Sequence, residues 1–303
     1  MRSLVVDHSV PGHIRLGEAP EPEPGPAQVL IDVKTASLNC GELAYARGAA
    51  EEGTVLGWDT AGVVRRGAGD GSGPAVGTRV VGFAGSGGWA ERRALDSADV
   101  AVVPDDVELG AAVTLPVAGG TALRALRRLG FVAGERVLVT GASGGVGRFA
   151  VQIAALAGAH VIASVGSPER GEGLAELGAA EVVVGLDAID EPLFGVIDNV
   201  GGPQLVQAFG LLGEGGSIQS IGGTSGEPAV FAPYGTVGLY RKIEAFDNTL
   251  GDMGRHLAPL LRWLAAGKLD PQIGWRGDWS RAGEAVELLI GRKLPGKAVL
   301  EIA

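Results

Sequence analysis

Cysteine is nearly missing: Cys40 is the only one in 303 residues. A lone thiol closes no internal disulfide and offers no cluster for a structural zinc, which argues for a reducing, cytoplasmic setting. Histidine is scarce too, and His8, His13, His160 and His256 are scattered with none at a metal-ligand spacing. Basic charge falls short of acidic charge, 25 Lys and Arg against 35 Asp and Glu, leaving a net charge of -10. That deficit argues against a nucleic-acid backbone as partner, because phosphate binding draws its affinity from Lys and Arg. No apolar run reads as long enough to cross a bilayer, and MRSLVVDHSV at the start lacks the apolar region and cleavage site of a secretory signal.

What is present is 46% hydrophobic and 20% charged, the balance of a globular protein, with length enough for two domains. Up to about residue 112 the chain reads as short strands broken by glycine and proline. A stiff Pro-rich loop, Ala19 to Pro26, precedes the alternating run Val29 to Val33, and GVVRRGAGDGSGPAVGTRVVGFAG holds two valine strands. This is a small, mostly antiparallel β domain. From Leu115 the rhythm changes. Candidate strands Val137–Thr140, Val161–Ser164, Val182–Val184, Val196–Asn199 and Ser217–Ile221 alternate with helical patterns, which predicts a parallel sheet covered on both faces. After about Phe246 come two amphipathic helices, with Leu257, Leu260, Leu261 and Leu264 on one and Ala282, Val286, Leu289 and Ile290 on the other. A last strand, Lys297 to Ile302, returns to the first domain. The expected domains are therefore 1–112, 113–246 and a completing segment 247–303.

The chemistry concentrates in VLVTGASGGVGRFAVQIAA, residues 137–155. Gly141, Gly144 and Gly147, with Gly145, stand between a strand and a helix whose apolar face is Val146, Phe149, Ala150, Ile153 and Ala157. Without Cβ atoms such a turn lets free N–H groups and the positive end of the helix meet a diphosphate. The next strand end selects the dinucleotide. An NAD site carries Asp or Glu about 20 residues beyond the glycines; HVIASVGSPER instead offers Ser164, Gly166, Ser167 and Arg170. A hydroxyl and a guanidinium suit a 2'-phosphate, so NADPH is favoured over NADH, the other reading of Arg170 being a solvated helix-start arginine. Two further glycine-rich strand ends, VIDNVGG and IQSIGG, bring Asn199, Val200, Ile221 and Gly222 forward as walls for the nicotinamide half, with Phe246 at the end of the domain. Asp198 reads equally as a helix cap or a cofactor contact.

Through PEPEPGPAQVLIDV, SLNCGELAYARG, VLGWDTAGVV, VGTRVVGFA, AVTLPVAGGTALRAL, VIDNVGGPQLVQAF and GRKLPGKAVL, in that order, the chain resembles the medium-chain dehydrogenases/reductases. The likeness is to their zinc-free quinone oxidoreductase and enoyl reductase branch. The resemblance implies an α/β protein with a GroES-like β-barrel catalytic domain and a Rossmann doubly wound parallel sheet. It also implies NADPH in an interdomain cleft, and a homodimer. Asn39 matches the asparagine at the nicotinamide ribose and Thr121 the threonine facing the same end. Gly144, Gly145 and Val146 match the pyrophosphate loop, and Arg170 the 2'-phosphate pocket. Where zinc relatives place a histidine ligand this sequence has Trp58, so no metal is expected, and Cys40 reads as a small buried hydrophobe. The enoyl-reductase tyrosine has no counterpart in register; Tyr45 is the candidate proton donor, against solvent, its other reading being a packing tyrosine. The expected activity is hydride transfer from NADPH to a quinone or an α,β-unsaturated carbonyl. The alternatives are an enoyl-thioester reductase and a non-catalytic NADPH-binding sensor.

Overall fold

The computed structural model describes residues 1–247 and 251–302. The chain divides into two compact units, one of Met1–Gly120 with Thr249–Ala303, the other Thr121–Asn248.

In the first unit the strands are β1 (Arg2–Val6), β2 (Ile14–Glu18), β3 (Gln28–Leu38), β4 (Asp59–Arg66), β5 (Arg79–Phe83), β6 (Arg92–Asp96) and β7 (Val100–Val102), with helix α1 (Cys40–Gly48) after β3. The short α2 (Leu109–Ala112), a π-helical turn and α3 (Gly120–Leu129) lead into the second unit. There β8 (Arg136–Val139), α4 (Gly145–Leu156), β9 (His160–Val165), β10 (Glu181–Val184), β11 (Leu193–Asp198), α5 (Gly202–Leu211), β12 (Leu212–Ser220) and β13 (Lys242–Ala245) follow. The chain then adds α6 (Gly254–Ala265), β14 (Ile273–Asp278), α7 (Ala282–Ile290) and β15 (Lys297–Glu301) to the first unit.

β3 organises the first unit. Its alternating first half turns Val29, Ile31 and Val33 inward, as the period of two requires. At eleven residues it is long enough to pair β4, to take β6 along Gln28–Asp32 and to take β15 along Thr35–Leu38, all antiparallel. The sheet runs β14-β15-β3-β4-β5-β7, with only β14 and β15 parallel. Ile31, Leu38, Leu56, Trp89, Leu95 and Leu300 form its core, joined by Leu43 and Ala46 of α1 and by Ala285 and Val286 of α7. The apolar stripe of α7 stops a turn early, for Ile290 is 42% exposed.

The second unit is a parallel six-stranded sheet ordered β10-β9-β8-β11-β12-β13. The predicted strands are all present, but cover on both faces fails at one edge. Between β9 and β10 the chain makes only a 3-10 turn, Pro168–Gly171, and between β10 and β11 it makes no helix. Gly173 and Gly178 have φ of +76° and +104°, and a Cβ on Gly171 would lie 2.8 Å from Val182 Cγ1. Helix cannot continue through left-handed glycines. Val182 and Val184 are left exposed as a result.

The helical run Leu109–Leu129 is long and apolar enough to cross a membrane by length and composition, against the expectation that no run reaches that length. Its most apolar stretch is 83% buried in protein, so its apolar surface is already used.

Candidate functional site

In the second unit, β8 runs through Thr140 into Gly141, whose φ of +59° suits a residue without Cβ. A Cβ there would lie 3.3 Å from Asn199 Cβ and from Val200 Cγ2, so the loop packs against the end of β11. Helix α4 starts at Gly145 with Gly144 as its cap and no capping side chain. Its first-turn N–H groups therefore receive no side-chain oxygen, and Ser143 to Val146 are partly exposed. An anion fits that cradle. Ile221 N and Gly222 N donate to Asp198 O at 2.9 and 3.1 Å, and a Cβ on Gly222 would lie 2.6 Å from Asn199 O. The carboxyl ends of β8, β11 and β12 thus converge, bringing Gly141, Asn199, Val200, Ile221 and Gly222 together.

Asp198 is a scaffold. Fully buried, it accepts from Thr140 Oγ1 at 2.5 Å, Val200 N at 3.3 Å and Gly201 N at 3.0 Å. Burial pushes its carboxyl above the ordinary range. Asn199 is likewise occupied, donating its Nδ2 to Thr140 O at 2.8 Å. Both groups shape the loop, and Asp198, bonded to Val200 N and Gly201 N ahead of Gly202–Leu211, does not cap that helix.

At the end of β9 the sequence candidates separate. Ser164 is fully buried, donates to Gly185 O at 3.0 Å and accepts from Gln204 Nε2 at 3.2 Å, a partner the sequence did not reveal. Gly166 is exposed and Ser167 and Arg170 are partly exposed. Arg170 folds back, its Nη1 3.5 Å from where a Gly166 Cβ would stand. A carboxylate the sequence reading gave no role joins them: Glu169 accepts from the Ser167 hydroxyl, which lowers its pKa from the usual carboxylate value. Thr121 is buried in α3, one turn from Arg124, whose guanidinium lies 5.0 Å from the Phe246 ring centre.

The first unit holds a closed polar cluster. The register pairs Ala298 with Leu38, which sets Lys297 beside Asn39. Lys297 Nζ donates to Leu38 O at 3.1 Å, Asn39 Oδ1 at 2.5 Å and Asp59 Oδ2 at 3.2 Å, with side-chain exposures of 3% for Lys297 and 0% for Asp59. Asn39 Nδ2 donates to Glu42 Oε2 at 3.0 Å and to Asp59 Oδ2 at 2.9 Å. Asp59 also accepts from Ser37 Oγ at 2.5 Å and Val117 N at 2.9 Å. Glu42, the third residue of α1, accepts from Asn39 N at 2.8 Å and from Trp58 N, and with the Asn39 side chain turned to the Glu42 backbone it completes a capping box. Burial first, and the charge of Asp59 second, push the Glu42 carboxyl up to about 8. Sequence reasoning singled out Asn39 and missed Lys297 and Asp59. The available signal was a charge inside an apolar strand, as in KAVLEI and WDTAGVV.

Two other sequence readings meet the structure here. Cys40 is exposed rather than buried, because α1 buries the face of Glu42, Leu43 and Ala46 and turns Cys40 outward. Tyr45 is on that helix, 49% exposed. Trp58 lies over the first turn of α1, where a Cβ on Gly41 would be 2.6 Å from Cη2 of its ring. The residues around Cys40 do not fit a zinc ion. Glu42 and Asp59 already accept seven hydrogen bonds from N–H, O–H and ammonium donors, which leaves neither carboxylate free for a cation. Among the described residues no group of three His, Cys, Asp or Glu is placed to hold a metal.

Comparison with known proteins gives the same layout. Residues 25–105 match the family described as alcohol dehydrogenase GroES-like domain, and residues 145–265 that described as zinc-binding dehydrogenase. An acrylyl-CoA reductase of Ruegeria pomeroyi is 34% identical over 242 residues, 73% of this chain and 72% of its own. A spectinabilin polyketide synthase system protein of Streptomyces orinoci is 31% identical over 290 residues, 91% of this chain, which spans only 13% of that protein. Among solved structures, a quinone oxidoreductase from Coxiella burnetii superposes with a TM-score of 0.88 at 28% identity, covering 100% of this chain and 99% of that one. A GroES-like unit followed by a glycine-loop parallel sheet, matched in that order by both families, makes the chain a quinone oxidoreductase-like member of the medium-chain dehydrogenase/reductase superfamily.

Proposed function

We propose that this oxidoreductase moves a hydride from NADPH to an electron-poor acceptor, a quinone or an α,β-unsaturated carbonyl, without zinc. The observation that carries the reading is the saturation of Glu42 and Asp59, with Trp58 beside them, in the segment where zinc-dependent relatives recruit metal ligands. With no Lewis acid to polarise it, the acceptor itself has to be activated. When bound, the reduced nicotinamide supplies the hydride. The main-chain N–H groups of Gly145, Val146 and Gly147 hold the diphosphate. Asn199, Val200, Ile221, Gly222, Thr121 and Phe246 orient and dry the ring. The reduced acceptor needs a proton, for which the exposed Tyr45 hydroxyl competes with solvent.

Arg170 beside Gly166 supports the 2'-phosphate of NADPH. The ionised Glu169 at the same turn favours a second reading, a ribose 2'-hydroxyl and hence NADH. Steady-state rates with each cofactor, on benzoquinones, enones and a pantetheine thioester, test both. Arg170→Ala is expected to lower kcat/KM for NADPH about tenfold and leave NADH unchanged; an unchanged ratio removes Arg170 from the pocket. Preference for the thioester would select the enoyl-thioester reading that the acrylyl-CoA reductase likeness favours. Tight cofactor binding with no turnover of any acceptor would select a sensor.

A homodimer through the second unit is part of the proposal. β13 ends the sheet with one row of backbone groups unpaired, and Ile243, Val237 and Tyr240 near it are exposed. Light scattering is expected to give twice the chain mass, and Ile243→Lys to halve it. A monomeric wild type would refute the assembly. A cytoplasmic location, on the lone cysteine, completes the reading.

A further inference from the structure

We infer that Arg148 is a positioning residue for the dinucleotide, a buried fork that holds the glycine loop and the ribose-selecting turn at one spacing. The inference rests on the function proposed above and extends it to a side chain that acts through the main chain around it. Every group involved belongs to the second unit. Arg148 is the fourth residue of α4 and only 9% exposed. Its Nε donates to Ser143 O at 3.3 Å and its Nη2 to Glu172 O at 2.8 Å. The donors of a guanidinium lie in one rigid plane, so a single side chain sets the distance between two separate segments. Each segment meets the nucleotide. Ser143 lies inside the glycine loop, where Gly144 N donates to Gly141 O at 3.1 Å, so the peptide between Ser143 and Gly144 is pinned at its oxygen and at its nitrogen. That pinning aims the N–H groups that open α4 at one place. Glu172 is the C-cap of the 3-10 turn Pro168–Gly171, and its N–H meets Glu169 O at 3.5 Å. Within that turn lie Glu169 and Arg170, with Ser167 ahead of them, the groups that discriminate a 2'-phosphate from a 2'-hydroxyl. No helix runs from β9 to β10, so no helical ladder takes up Glu172 O, and Arg148 supplies its donor. Gly173 leaves room for this approach, since even a Cβ there would stand 3.5 Å from Arg148 Nη1. A buried guanidinium keeps its charge and cannot leave these carbonyls without orphaning it.

The test is the dissociation constant for NADPH and for NADH, each measured by calorimetry on wild type, Arg148→Met and Arg148→Lys, with folding checked by circular dichroism. The wild type is expected to prefer NADPH, or NADH on the second reading, by about tenfold. In Arg148→Met both cofactors are expected to bind more weakly, and the preference to fall to within about twofold of parity, because loop and turn are no longer held at one spacing. Lost charge alone would also weaken NADPH more than NADH, since the 2'-phosphate adds negative charge. Arg148→Lys separates the two causes, for it keeps the charge and gives up the planar fork. It is expected to lose the preference as well, and should Arg148→Met fail to fold it decides alone. A wild-type preference kept in Arg148→Lys would overturn the inference. Equal weakening of both cofactors in Arg148→Met would do the same, because a merely structural residue leaves the ratio untouched. So would a wild type that binds both cofactors alike, since the turn then selects nothing. A wild type that binds neither would overturn the functional reading itself, which is a different result.

Discussion

One methyl group at position 147 is expected to weaken nucleotide binding about a hundredfold. Helix propensity alone points the other way, since alanine is favoured over glycine by about 1 kcal/mol inside a helix. The contacts outweigh it. A Cβ on Gly147 would lie 2.4 Å from Gly141 O and 2.6 Å from Ala142 Cα, both main-chain atoms that no rotamer change can move. Relief requires the loop to shift by roughly 1 Å, with an overpacking cost of about 1–3 kcal/mol. The same shift carries the N–H groups of Gly145 and Val146 off their target, and a displacement of that size is worth about a hundredfold. Gly147→Ala is therefore expected to raise the NADPH dissociation constant at least about a hundredfold and to lower Tm. Gly144→Ala is the control for stability alone, since within the protein its Cβ would meet only Gly141 O, at 3.5 Å, and its Tm is expected to match the wild type. Titration of cofactor into Gly147→Ala and the wild type decides; Gly147→Ala binding like the wild type would refute the loop assignment.

The second large effect is on stability against pH, and it comes from Glu42. Its carboxyl is held at about 8 in the fold, against 4.5 for the free side chain, because burial and Asp59 oppose its charge more than Lys297, Trp58 N and Asn39 support it. The folded chain thus binds a proton that the unfolded chain releases. That contribution is fully present below pH 4.5 and is lost as pH rises to about 8, with a slope of about 1.4 kcal/mol per pH unit. Over the whole window it amounts to on the order of 5 kcal/mol. The carboxylates with lowered pKa, such as Asp7, Glu91 and Glu181, titrate below this range, while Asp198, raised by burial, adds a fall of the same sign that Glu42→Gln leaves in place. Urea unfolding of wild type between pH 5 and 8 is expected to show stability falling with pH. Glu42→Gln should flatten that fall, while lowering stability at pH 5, because a primary amide cannot accept all the N–H groups that meet the carboxylate. Parallel profiles for the two proteins would show Glu42 to be ionised throughout.

Legibility in the sequence followed the range of the interactions. The strand, glycine turn and helix around Gly141 to Gly147 could be read directly, because each is set by neighbours within a few residues. The stripe of α6 at Leu257, Leu260 and Leu261 was readable for the same reason. The helix expected between β9 and β10 did not form, and the left-handed glycines at 173 and 178 that stop it are visible only as φ angles. Cys40 was misjudged because an average preference for burial says nothing of which face of a nine-residue helix meets the core.

By itself the sequence determined two folding patterns, an antiparallel front part and a parallel back part, and a turn of bare main chain suited to a diphosphate. Both follow from periodicity and from glycine, which act locally. Only the tertiary structure decided what Asn39 can do. Its partners Lys297, Glu42 and Asp59 lie 258, 3 and 20 residues away, and a hydrogen bond between strands depends on register, which no local pattern encodes.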